Sequence, residues 1–148
     1  VADAIIFCSH DTFQKSYELF EQILAADHED EMAWTDWGVT LLTETQLLLT
    51  AEEDKEGWKA GIHEAEAKLT RAVALGSGVA AYYLACIYSL SGEVGAAMHF
   101  FTRALQQGGV PPFDGMMEDD WLQALRDSRD FQEFLQNEWK IDIEGFNA

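Results

Sequence analysis

The feature that most constrains this chain is a ladder of small and large apolar residues that returns at a fixed interval. In its clearest run Ala85 is followed by Tyr88 three residues on, Ala97 nine further, Phe101 four further and Ala104 three further. Steps of three and four place residues on one face of a helix. Ser91-Gly92, between the two halves, is a helix stop. The run therefore predicts two helices joined by a tight turn. The same spacing starts at Ala4, with Phe7, Ser16, Phe20 and Ile23, and again at Gly38 with Leu41. Gly38 lies 34 residues after Ala4, and Leu41 lies 34 after Phe7. Ala65, Leu69 and Ala72 repeat the second half. Small residues belong where helices must approach to about 8–9 Å. A leucine at Gly38, Ala85, Ala97 or Ala104 would push them apart.

Composition points the same way. The only two prolines, Pro111 and Pro112, are adjacent, which leaves everything before them without an obligatory helix breaker. Strict polar/apolar alternation is scarce, and long stretches are rich in Ala, Leu, Glu, Gln and Lys, so the expected class is all-α. At 148 residues and 48% hydrophobic content the chain can bury one real core, which excludes intrinsic disorder.

A 34-residue period with this small–aromatic–small spacing resembles the tetratricopeptide repeat (TPR), with a closing tail similar to that of bacterial members. The resemblance covers residues 1 to about 108 and implies a TPR-like α-solenoid, a right-handed superhelical array of antiparallel helix pairs. One domain over 1–148 is expected. It divides into an N-terminally truncated repeat (1–30), a repeat with a long hairpin insertion (31–77), a third repeat (78–109) and a C-terminal capping helix pair (113–140). The start at Val1 suggests a piece of a longer protein.

The second unit departs from the family. Leu41 to Ala65 spans 24 residues where the repeat spans nine, so 15 are extra. They still read as helix, turn, helix, from Glu31 to about Ala51 and from about Lys55 to Leu75. Each arm gains about two turns, or about 11 Å. The result is an elongated hairpin with Trp58 as a possible contact near its tip. Plant mitochondrial outer-membrane import receptors of this family look similar in this respect, but no membrane anchor accompanies the hairpin here. The link Leu75-Gly76-Ser77-Gly78 lacks the usual proline, and Gly76 or Gly78 can end the helix instead. In the tail, Asp114 and the trio Glu118, Asp119 and Asp120 favour helix starts. Leu122, Leu125, Phe131, Phe134 and Leu135 form an apolar face, with Trp121 and Arg126 in structural roles.

The sequence argues against catalysis. His63-Glu64 begins a zinc-protease pattern, but Ala67 stands where the second histidine is required. No metal-ligand spacing joins His10, His28, His63 and His99. No phosphate loop, dinucleotide fingerprint or nucleophile elbow is present. No catalytic residue, metal or cofactor is expected, and the chain is read as non-enzymatic. The formal charge of −18, from 27 acidic and 9 basic residues, disfavours nucleic acid and anionic membrane partners. Cys8 and Cys86 are isolated thiols in apolar surroundings, which fits a reducing cytoplasm. No run approaches the roughly 20 apolar residues of a membrane span.

The resemblance implies partner binding on a concave face lined by the first helix of each pair. From the second unit that face takes Met32, Thr35, Asp36, Val39 and Leu42. From the third it takes Val79, Tyr82, Cys86, Ser89 and Leu90. None is Lys, Arg or Asn, so the carboxylate clamp that holds heat-shock chaperone tails is not expected. An apolar, tyrosine-containing groove suits a protein or peptide with hydrophobic anchors, and the acidic rim suits basic flanks. The leading reading is a scaffold or adaptor. The alternative is an acidic secretion chaperone of the class II type III kind, to whose first repeat Phe20-Glu21-Gln22-Ile23-Leu24 and the following Asp27-His28-Glu29-Asp30 are similar. A third reading is a device for oligomerisation.

Overall fold

The computed structural model describes residues 2–48 and 53–137, with side chains over 11–47 and 53–137. Within them every regular element is helical. The long elements are α1 (Ala2–Ala26), α2 (Glu31–Leu48), α3 (Lys55–Ala74), α4 (Gly78–Leu90) and α5 (Val94–Gln106). The tail adds α6 (Phe113–Glu118), a 3-10 turn (Asp120–Leu122), α7 (Gln123–Arg126) and α8 (Arg129–Asn137). From α1 to α5 each helix packs against its neighbour in sequence, and α4 also touches α2, the 3-10 turn and α7.

The small residues lie where the helices meet. Ala65, Ala72, Ala85, Ala97 and Ala104 are fully buried, as are the larger ladder residues Leu69 and Phe101. At Gly38 the helices leave no room for a side chain, since a Cβ there would lie 2.5 Å from Leu69 Cγ. A second such approach, which the ladder does not mark, brings Gly61 of α3 against the Thr45 hydroxyl of α2. Tyr88 is half-buried, stacked on Phe100 with ring centroids 5.4 Å apart. Its hydroxyl donates to Glu66 at 2.7 Å. That bond and burial together raise the phenol to about 12.

The glycines end helices as expected. After α4, Gly92 takes φ 80°, which lets its N–H reach Ser89 O (3.0 Å) and the Glu93 N–H reach Tyr88 O (2.8 Å). This paired closure satisfies carbonyls that would otherwise be orphaned. α3 ends the same way at Gly76. Two residues beyond Leu75, Ser77 begins α4 by accepting from Ala80 N at 3.0 Å, and it shares a 2.8 Å hydrogen bond with Thr35 of α2. Both hydroxyls are buried. Ser77→Ala removes the cap and the bond to Thr35, whose hydroxyl keeps the Glu31 carbonyl at 2.9 Å, so we expect a loss of about 1 kcal/mol in urea unfolding.

Three expectations need revision. The ladder at Ala4 falls on one continuous helix, α1, rather than on a pair. The position matching Gly92 is Asp11, and nothing between Phe7 and Ser16 stops a helix. The elongated hairpin exists: α2 has 18 residues and α3 has 20, against 13 each in α4 and α5. Residues 49–51, to which its first arm was extended, lie outside the described residues. Trp58 is not an open tip contact. It is half-buried, and its ring tilts against Trp121 at 5.9 Å.

The tail is a run of short helices rather than a pair, and 138–140 lie outside the described residues. Leu122, Leu125, Phe131 and Leu135 are buried as the apolar face requires. Phe101 of α5 meets the edges of Phe131 and Phe134, at 5.2 and 5.9 Å. Arg126 ties the segment together by donating to the carbonyls of Met116 and Asp119.

Candidate functional site

α2 and α4 run in the same direction. Thr35, near the start of α2, meets Ser77 at the start of α4, and later turns of the two helices face each other across a cavity of about 180 Å³. α2 contributes Val39, Leu42, Thr43 and Gln46 to that cavity. The opposite wall is Tyr83 and Cys86 of α4, and Asp119 and Trp121 of the tail close it.

The residues expected on this face divide into two groups. Met32, Asp36, Val79 and Leu90 are exposed, and Val39 is half-buried. Thr35, Tyr82 and Ser89 are closed off by the chain itself, and Leu42 and Cys86 are buried except where they line the cavity, which corrects the expectation of one continuous open groove. Thr35 is committed to Ser77. Ser89 Oγ accepts from Leu125 N at 3.0 Å, which anchors α7. Tyr82 donates to Asp119 Oδ2 at 2.7 Å. The tail therefore docks along one side of α4 and uses up part of the predicted surface.

Sequence reasoning missed Tyr83, Asp119 and Trp121. Tyr83 shares a helical face with Val79, Cys86 and Leu90, at steps of four, three and four, and that spacing was available to find it. Asp119 was read only as a helix-start residue. It does cap the 3-10 turn, with Oδ1 accepting from Trp121 N at 3.0 Å. Its other oxygen faces Tyr82 and, at 3.8 Å, the Cys86 thiol. Burial, with the neighbouring Asp119 charge, pushes the Tyr82 and Tyr83 phenols and the Cys86 thiol upward. All three therefore remain protonated donors, and Cys86 is a poor nucleophile.

Most of the large apolar side chains left in solvent lie on the two helices that form this cavity. Among the described residues they are Met32, Leu47, Val79 and Leu90 on α2 and α4, and Leu19 on α1. Met32 is the most open, at 73%. A larger depression of about 630 Å³ lies along α5 between Met98, Thr102 and Asp130. Its Arg103 already donates to Val73 O of α3. Among the described residues no group of three or more His, Cys, Asp or Glu side chains is placed to hold a metal ion. No described helix is long and apolar enough to cross a membrane. No family model, curated protein or solved structure matches the chain.

Proposed function

We propose that the protein is a non-enzymatic scaffold or adaptor of TPR-like design, which binds a protein or peptide partner along the face shared by α2 and α4. One observation carries the reading: four of the five large apolar side chains left in solvent among the described residues sit on these two helices. Met32 and Val79 stand in the first turns of α2 and α4, and Leu47 and Leu90 stand in the last. Exposed apolar groups at both ends of a shallow cavity suit a segment laid across both helices and anchored at two points. Charge is consistent with it. α2 carries Glu31, Asp36 and Glu44, and neither helix contains Lys, Arg or His. The partner would bring hydrophobic anchors and basic flanks, in a cytoplasmic setting.

Peptides selected from a random display library against the intact protein test this. Binding should fall about tenfold or more in the triple variant Met32→Glu, Val79→Glu, Leu90→Glu, which leaves the buried core untouched. Selected peptides that bind the folded variant as tightly as the parent would overturn the proposal.

A further inference from the structure

We infer that the cavity between α2, α4 and the 3-10 turn is a subsite for one arginine side chain of the partner, with Asp119 as the recognising carboxylate. The inference rests on the scaffold reading and specifies the chemistry at the centre of that face.

The volume sets the scale. About 180 Å³ is below the roughly 300–1,000 Å³ of small-molecule pockets, and it suits a single inserted side chain. The walls set the character. Val39 and Leu42 supply aliphatic surface, and Tyr83 and Trp121 supply aromatic surface, so an apolar stem and a flat cation are both accommodated. Asp119 is the only carboxylate among the lining residues, and none of them is basic.

The state of Asp119 gives the sign. Among the described residues its two oxygens accept from neutral groups: the Tyr82 hydroxyl, the Cys86 thiol and the Trp121 amide. Among the described residues it makes no ion pair, unlike Asp11 with Lys15 and Glu133 with Arg129. Arg126 is bound to the Asp119 carbonyl and to Gln123 rather than to the carboxylate. A half-buried carboxylate held in place by neutral donors has no cation on either oxygen and can accept from an incoming one. Arginine fits better than lysine because its planar head stacks on rings while it hydrogen-bonds a carboxylate. Trp58 of the elongated hairpin packs against the Trp121 ring, which gives the hairpin a part in shaping the subsite.

The probe is N-acetyl-arginine methylamide, compared with the citrulline and norleucine analogues of equal length, and followed by the Trp121 indole N–H resonance of the intact protein. The arginine probe should produce a saturating shift at roughly millimolar concentration, and the uncharged analogues should not. Asp119→Asn should weaken the arginine effect about tenfold. Gln46→Arg, which keeps Asp119 and fills the cavity from α2, should abolish it even where Asp119→Asn perturbs folding. Equal shifts from citrulline or norleucine, a shift that survives Gln46→Arg, or no shift at all would overturn the inference. Loss of the probe effect with peptide binding still sensitive to Met32, Val79 and Leu90 would remove the subsite alone and leave the scaffold reading standing.

Discussion

Phe101→Ala is expected to cost about 3–5 kcal/mol of unfolding free energy and to lower the melting temperature by roughly 10–15 °C. The residue has no exposed surface, and its ring meets two aromatic edges of α8, Phe131 at 72° and Phe134 at 89°. Truncation leaves a cavity that close-packed neighbours cannot collapse to fill, and it removes both edge-to-face pairs at once. The loss has a direction as well as a size. α8 reaches α5 through these rings, so its amides should exchange with solvent earlier in the variant than those of α3 or α4. Circular dichroism during urea and thermal unfolding gives the magnitude, and hydrogen exchange gives the location. A change under about 1 kcal/mol would mean that the cap does not depend on Phe101.

The same residue shows what was legible in the sequence and why. Phe101, Ala97 and Ala104 could be read because spacing of four and three is a property of one helix, and small residues on such a face report a neighbour close by. The Gly76 and Gly92 stops were legible for a similarly local reason, since only a few bonds separate cause and effect. What escaped depended on distant segments. Tyr82 and Tyr83 differ by about 100° around α4, and which of them faces the cavity is decided by where Asp119 docks, 37 residues after Tyr82. Trp58 seemed free because its partner, Trp121, is 63 residues away in the sequence. The ladder at Ala4 misled for the opposite reason. Its spacing is compatible with a helix pair, but no stop residue sits at Asp11 to divide it, and α1 runs on.

The face proposed for binding depends on how closely α2 sits on α3, and Gly38→Leu tests that seam. A Cβ at position 38 would lie 2.5 Å from Leu69 Cγ, 2.6 Å from its Cδ2 and 3.3 Å from its backbone nitrogen. The first two atoms belong to a side chain with no exposed surface, and the third is fixed in α3, so Leu69 has no empty space to enter. Leucine should therefore cost about 3 kcal/mol, the upper part of the usual range for overpacking. Alanine should cost less, because its better helix propensity offsets up to about 1 kcal/mol of the clash. Gly95 of α5 provides the contrast. No atom lies within 4 Å of a Cβ built there, so Gly95→Ala should stabilise the protein by roughly 0.5–1 kcal/mol. Opposite signs at two helical glycines separate close packing from propensity. The double variant Gly38→Ala, Leu69→Ala makes the point sharper. Shortening Leu69 removes the atoms that position 38 would strike, so the two changes together should cost measurably less than their sum. Strict additivity would show that α2 and α3 do not press on each other at this point, and the small-residue ladder would lose its physical explanation.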